Sequence, residues 1–282
     1  MGDLGALLGL SVDDLADLSR TVPQSVRRRS RKKQDGCRRR IIAAHPRLKA
    51  VQLLLKTRIL DKIAFPECVH GYRKGRSHIS AARPHTGRRM LLSMDIRNFY
   101  PSIRPEAVED AWSSIGCSHD VARLLKRLTT CDYQLPQGFR TSQGLANLVR
   151  RGFDARVSGL AQQHKLTYTN YSDNLFLSGE RISRRVSALC GDIAKCYGWS
   201  LHKVDLRGPG EARVVMGIVV GDRLDIHPGY CQKIEARILE LQGSRSVPVR
   251  VLKSIRGQIG YVRQLNEAAA CRLEEMLLAV TA

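Results

Sequence analysis

Hydrophobic positions along the chain switch between helical and strand periods, and the switches divide it into segments. Residues 1–22 read Leu-Gly-Ala-Leu-Leu-Gly-Leu and then Ser11, with Asp14 three positions on and Leu15 and Leu18 at helical spacing, which predicts a helical lead-in capped at Ser11. Residues 46–63 carry an amphipathic pattern that opens on Pro46, a favoured first helical residue. Met90-Leu-Leu-Ser-Met94 is a short apolar run ending in Asp95, the mark of a buried strand that delivers a carboxylate at its edge. Helices are expected from Pro105, with Val108 and Trp112 on one face, over about 119–129, and from Gly144 to about Gln163. Leu166-Thr-Tyr-Thr-Asn-Tyr and Leu175-Phe-Leu-Ser flank Ser172-Asp173-Asn174, three residues that favour turns, so a hairpin is expected there. A helix over 182–197 and a strand over 213–220 complete a β-α-β-β-α-β order. From Pro228 the pattern is helical, over about 229–243, 248–264 and 267–280, broken at Gly243-Ser and at Asn266. The fold class read from this pattern is α+β.

Composition narrows the partners. With 43% hydrophobic residues in 282, the chain is long and apolar enough to bury a core, which excludes a wholly disordered protein. Forty-seven Lys and Arg against 26 Asp and Glu leave a formal charge of +21, which points to a polyanion. Arg predominates, and its planar fork suits phosphates and stacked bases, so nucleic acid is favoured over a membrane surface. The densest run, Arg27-Arg-Arg-Ser-Arg-Lys-Lys-Gln-Asp-Gly-Cys-Arg38-Arg39-Arg40, holds an Asp35-Gly36 pair that predicts a hairpin between two basic strands. Such a run serves either as a nucleic-acid contact or as a solvated arm. Lys253, Arg256 and Arg263 recur along the C-terminal helices and are open to the same two readings. Eight cysteines without a C-x-x-C argue against a disulfide framework or a zinc site. No apolar run approaches the ~18 residues of a membrane helix, and the N-terminus lacks a basic flank, so a cytoplasmic protein is expected.

Two acids stand out by position: Asp95 at a buried strand's edge and Asp173 at a hairpin tip that the strand order places beside it. Nucleotidyl transfer uses two divalent ions ~3.5–4 Å apart, and hard oxygen ligands on adjacent strands suit them. Taken singly, each acid also fits an ordinary turn or cap.

Leu92-Ser-Met-Asp95-Ile-Arg-Asn-Phe-Tyr-Pro-Ser-Ile103 resembles the first metal-binding motif of the reverse transcriptases, and the chain as a whole is similar to their bacterial retron type. Val69-His-Gly-Tyr-Arg73-Lys-Gly-Arg76-Ser77 resembles the segment that meets nucleotide phosphates, and Leu135-Pro-Gln137-Gly138-Phe-Arg-Thr-Ser142 the template and nucleotide loop. Tyr171-Ser-Asp173-Asn174 stands at the Tyr-x-Asp-Asp hairpin, and Lys253-Ser-Ile-Arg-Gly-Gln-Ile-Gly-Tyr261 is similar to the retron thumb helix. The resemblance implies a right-hand polymerase with fingers over 1–94, a ferredoxin-like palm over 95–222 and a helical thumb over 223–282. It implies catalysis by Asp95, Asp173 and Asn174, with Asp95, Ile96 and Asp173 as ligands of Mg2+, or of Mn2+. Arg73, Lys74, Arg76, Gln137 and Gly138 would bind the deoxynucleoside triphosphate, with Tyr100 denying space to a ribose 2′-hydroxyl. Arg38, Arg39, Arg40, His85, Lys253, Arg256 and Arg263 would bind nucleic acid. It further implies a cognate structured non-coding RNA, a branched RNA–DNA product (msDNA), and anti-phage defence alongside a separate effector protein.

Several positions depart from the family pattern. Asn174 replaces the second hairpin aspartate, which removes a charge and favours a more forgiving ion such as manganese. Asp205 falls where the family places a lysine, with Lys203 nearby but out of step, and Arg140 and Gln143 replace two prolines. Ala81-Ala82-Arg-Pro-His85 and Val215-Met216-Gly217 each differ by one residue from retron elements. Two readings therefore stay open: a retron-like polymerase, and a decayed relative that keeps RNA binding as a scaffold.

Overall fold

The computed structural model describes residues 2–32, 36, 38–242 and 247–281. At the N-terminus lie α1 (Gly2–Leu8) and α2 (Val12–Arg20), the second capped by Ser11, whose hydroxyl accepts the Asp14 amide at 3.0 Å. The basic run forms an antiparallel hairpin of β1 (Val26–Lys32) and β2 (Arg38–Ala44). The Asp35-Gly36 turn expected between them lies outside the fully described residues. α3 (Pro46–Arg58) follows, and its Leu48, Val51 and Leu55 enter the main core. After α4 (His78–Ala82) comes β3 (Met90–Ile96), with Leu91, Leu92, Met94 and Ile96 buried. Next come α5 (Phe99–Ser102), α6 (Pro105–Ser114) and α7 (His119–Thr129).

The expected single helix from Gly144 to Gln163 is two: α8 (Ser142–Val149) and α9 (Arg151–Gln163), with the break at Arg150. β4 (Thr167–Tyr171) and β5 (Asn174–Gly179) form the expected hairpin, and α10 (Arg184–Cys196) follows. Here the strand order needs a correction. The fourth strand of the central sheet is β6 (Leu201–Arg207), not 213–220, and the sheet runs β4-β5-β3-β6 with every pairing antiparallel. β6 is an edge strand with exposed Lys203, Val204 and Asp205 at its middle, so it shows no apolar run by which sequence could reveal it. Residues 213–220 instead build a small separate sheet of β7 (Val214–Val215), β8 (Ile218–Val220) and β9 (Leu224–Ile226). Val215, Ile218 and Val220 pack on Ala82, Leu91 and Phe176.

The C-terminal helices α11 (Pro228–Leu239), α12 (Val249–Arg263) and α13 (Glu267–Thr281) bury a core of their own around Ile234, Ile238, Ile255, Ile259 and Leu273. The Gly243-Ser break lies outside the described residues. Among those described, no helix is long and apolar enough to cross a membrane.

His85 also departs from expectation. It is 2% exposed, and its two ring nitrogens are hydrogen-bonded to the hydroxyls of Ser178 (2.6 Å) and Thr169 (2.7 Å). It therefore ties β4 to β5 from inside and presents no face to nucleic acid. Burial pushes its pKa down to about 3. The unfolded imidazole takes up a proton near its ordinary 6.5 while the folded one resists, so this residue subtracts stability progressively as pH falls from about 6.5 toward 3. His85→Ala is expected to leave the buried Ser178 hydroxyl without its partner, while Thr169 keeps the Ala81 carbonyl at 3.1 Å, and to cost about 1–3 kcal/mol in denaturant unfolding, with RNA affinity unchanged. A loss of RNA affinity in folded protein would contradict the assignment.

Candidate active site

β4 and β5 join through Ser172 and Asp173, with Ser172 in the left-handed region at φ 58°. The β3–β5 register sets Asp95 opposite Asn174, and the Ile96 N–H donates to the Asp173 carbonyl at 2.9 Å. Asp95 and Asp173 thus share one end of the sheet. The Asp95 carboxyl is held above its usual range first by burial and then by the charge of Asp173, with His202 and Lys203 pulling the other way. A carboxylate whose ionisation is disfavoured by burial and a neighbouring negative charge is what a divalent cation would relieve. Hard donors are at hand in these two acids, the Ile96 carbonyl and the Asn174 side-chain oxygen, so the residues fit such an ion. Asn174 turns its amide to Asp173, Nδ2 donating to Oδ1 at 3.2 Å. Among the described residues no group of three or more His, Cys, Asp and Glu could hold a metal, so the donors here are two acids and amide or carbonyl oxygens.

The backbone decides which β6 side chain lies beside Asp95. Between Ser93 and Asp95 the β3–β6 register shifts, so that Ser93 faces Asp205 while Asp95 faces His202. The extra residue is a bulge. Lys203 takes a left-handed φ of 51°, and its Nζ lies 3.5 Å from an Asp95 oxygen. His202 Nδ1 sits 3.1 Å from the Asp95 carbonyl oxygen. Asp205, the apparent replacement, pairs with Arg207 at 2.9 Å and stands opposite Ser93 in the register.

A cleft of about 540 Å³ opens beside the turn, walled by Asp173, Asn174, Tyr100, Gln137, Gly138 and Arg39. Tyr100 is buried, its hydroxyl 3.2 Å from Ser172 Oγ, and burial pushes its pKa up. Gly138 has φ 124°, and a Cβ there would lie 2.6 Å from the Ile42 carbonyl oxygen. Its lack of a side chain therefore seats the basic hairpin, which the Ile42 N–H fixes by donating to the Gln137 carbonyl at 2.9 Å.

The other expected residues divide. Arg73 and Lys74 line a side cavity that shares Lys56, Tyr72 and Gln143 with the cleft, but Arg73 is committed to the carbonyls of Pro66 and Val69, each at 2.8 Å. Arg76 pairs with Glu67 on a different cavity and does not enter the cleft. Arg38 and Arg40, the strand neighbours of Arg39, belong to the hairpin's other face, Arg38 donating to Ser30 and Arg40 pairing with Asp132. Lys253 and Arg256 are exposed on α12, whereas Arg263 is engaged by Glu267 and Glu274 within the helical bundle.

Sequence reasoning missed what holds the turn. Arg150, at the break between α8 and α9, is fully buried and donates to the Ser172 carbonyl. It pairs with Asp154 at 3.0 Å, and its guanidinium lies over the rings of Phe99 and Phe153. From another side Gly71 presses on the turn: a Cβ there would come 2.6 Å from the Ser172 nitrogen. Asn147 fixes Gly71 by donating to its carbonyl at 2.8 Å. The one sequence signal is the i,i+4 spacing of Arg150 and Asp154, which lies among other charges such as Arg151 and Arg156 and so does not stand out.

Residues 30–203 match the family described as reverse transcriptase (RNA-dependent DNA polymerase). The chain is 30% identical to the retron Mx65 reverse transcriptase of Myxococcus xanthus, with 96% of this chain and 69% of that protein covered. It is 28% identical to the retron Ec86 reverse transcriptase of Escherichia coli, covering 80% of this chain and 71% of the relative. A solved foamy viral protease–reverse transcriptase in complex with double-stranded DNA superposes with a TM-score of 0.47 at 16% identity, over 88% of this chain and 38% of that one.

Proposed function

Given that the chain belongs to the reverse transcriptase family, as a bacterial retron-type RNA-directed DNA polymerase with an α+β right-hand fold, we propose that it copies a cognate structured non-coding RNA into DNA, with Asp95 and Asp173 as the acids of a two-metal site. The observation that carries this reading is the strand register that sets Asp95 beside the Asp173–Asn174 turn, at the mouth of a cleft walled by Tyr100 and Gln137. Bound divalent cations, Mg2+ or Mn2+, supply activation of the attacking hydroxyl and neutralisation of the leaving phosphates. The chain's own residues do the rest. Asp95 and Asp173 hold the charge, Lys203 balances Asp95, Tyr100 closes the wall where a 2′-hydroxyl would sit, and Arg39 with Lys56 offers cations to phosphate. Residues 1–94 are assigned as fingers, 95–222 as palm and 223–282 as thumb, with Lys253 and Arg256 toward the nucleic-acid backbone. The retron relationship is taken to extend to an msDNA product and to anti-phage defence with a separate effector protein.

One observation favours a second reading, an RNA-binding scaffold without catalysis: the turn offers one acid where two are expected. A single assay separates the two. Protein given a primed RNA template, deoxynucleoside triphosphates and Mg2+ or Mn2+ is expected to extend the primer, and Asn174→Asp to lower the half-saturating metal concentration on the order of tenfold, since ligand charge tunes affinity. No extension with either ion, with hybrid binding intact, selects the scaffold. Unchanged metal dependence in Asn174→Asp removes the role given to residue 174. A branched RNA–DNA species co-purifying with the protein supports the retron product, and a purely linear product counts against it.

A further inference from the structure

The β1–β2 hairpin has two faces, and only one of them looks into the cleft. Residues directly opposite each other share a face and neighbours alternate, so Arg39 and Ile41, which line the cleft, bring Arg31 and Arg29 with them. On the other face Val26 and Ile42 are buried at the root of the hairpin. Beyond them Arg28 and Arg40 close on Asp132, at 2.8 and 2.6 Å, and farther out lie exposed Lys32 and Arg38, paired in register.

Asp132 belongs to a tight turn in which Cys131 and Gln134 exchange backbone hydrogen bonds of 3.1 and 3.2 Å. Both central residues are left-handed, Asp132 at φ 53° and Tyr133 at φ 56°. Such turns favour Asn-Gly or Asp-Gly, because a side chain in this region is strained and a bulky one most so. Position 133 carries a tyrosine nonetheless, and it is 91% exposed. The fold would be better served by glycine. What the ring has instead is a setting, a flat aromatic surface held rigidly at the root of a basic face by a doubly clamped aspartate. Cations that track a backbone beside an aromatic platform are the arrangement that binds single-stranded polynucleotide.

We infer that this outer face is a second RNA track, separate from the cleft, on which Lys32 and Arg38 follow the phosphates and Tyr133 stacks an unpaired base. The four cations against one acid favour a polyanion over a protein partner. The inference rests on the reading that the chain's nucleic acid is RNA, and it extends that reading beyond the cleft.

The test keeps the cleft filled with a short RNA–DNA hybrid and adds a single-stranded oligoribonucleotide carrying 5-iodouridine, following anisotropy and mapping photocrosslinks by mass spectrometry. Crosslinks are expected on Tyr133. Tyr133→Gly is expected to lower affinity for the single strand on the order of 5- to 100-fold, the usual effect of removing one stacked aromatic, while its melting temperature stays the same or rises. Tyr133→Phe keeps wild-type affinity. Lys32→Ala and Arg38→Ala each flatten the slope of log K against log salt by roughly 0.7. Single-strand affinity of Tyr133→Gly within twofold of wild type, or crosslinks confined to the cleft, overturns the inference, including in favour of a protein-docking face. If wild-type protein fails to bind the hybrid itself, the reverse-transcription reading falls; if the hybrid binds and only the Tyr133 effects are missing, this inference alone falls.

Discussion

Asp95→Asn is expected to abolish nucleotide incorporation and, in metal-free buffer at neutral pH, to make the protein more stable. Both effects follow from one arrangement. The carboxyl sits on a buried strand edge beside Asp173, and burial first, then that neighbouring charge, holds its proton more tightly than the unfolded chain does. A carboxyl with a raised folded pKa subtracts stability as pH rises through its range, because the unfolded state ionises more readily. The amide removes the ionisation and keeps the shape. A rise in melting temperature of about 2 °C is expected in chelator at neutral pH, vanishing in acid where both forms are neutral. Incorporation on a primed RNA template should fall on the order of 10³-fold or more, since several kcal/mol of charge stabilisation disappear. The gain in stability is the sharper part of the prediction, since damage to the fold would lower the melting temperature. A variant that melts earlier, or that keeps a tenth of wild-type activity, would show that Asp95 is not a metal ligand strained by its neighbour.

What sequence made legible about this site was whatever depended on local pattern. β3 announced itself as an apolar run, and the 166–178 hairpin as two apolar stretches around turn formers, so the meeting of Asp95 with Asp173 followed from strand order. β6 was invisible because an edge strand exposed at its middle carries Lys203, Val204 and Asp205 where a core strand would carry a hydrophobic alternation. With β6 missed, its bulge was missed too, and with the bulge the register shift that aims Lys203 at Asp95 in place of Asp205. His85 is read as an RNA contact from the likeness of Ala81-Ala82-Arg-Pro-His85 to a retron element, yet two hydroxyls on β4 and β5 claim it in space. The backbone contact of Gly138 with Ile42 is likewise invisible to a local pattern. Each of these depends on a partner distant in sequence, and periodicity carries no information about that.

Arg150→Met is expected to destabilise the protein by about 3–5 kcal/mol, the usual cost of removing one partner of a buried ion pair. Arg150 and Asp154 are both fully buried, the Tyr168 hydroxyl donates to the same Asp154 oxygen at 2.7 Å, and among the described residues the other Asp154 oxygen has no hydrogen-bond partner. Burial already drives the Asp154 carboxyl above its usual range against the pull of Arg150, and without that cation nothing of opposite charge offsets the desolvation. The guanidinium has a second task that the ion pair does not share. It donates to the Ser172 carbonyl, and so fixes the peptide plane whose far end is the Asp173 amide. The two tasks separate in the combined variant Arg150→Met, Asp154→Leu, Tyr168→Phe, which replaces the polar cluster with apolar groups of similar size. Such replacements of buried ion pairs are often neutral or stabilising, so denaturant unfolding should return close to wild type. The Ser172 carbonyl, however, still lacks its donor. Primer extension should therefore stay roughly tenfold or more below wild type, and Mn2+ binding followed by electron paramagnetic resonance should remain weaker, because a turn free to tilt no longer presents Asp173 toward Asp95. Recovery of stability together with wild-type Mn2+ affinity would mean that Arg150 serves only its ion pair and that the turn holds its geometry through Gly71 and Tyr100 alone.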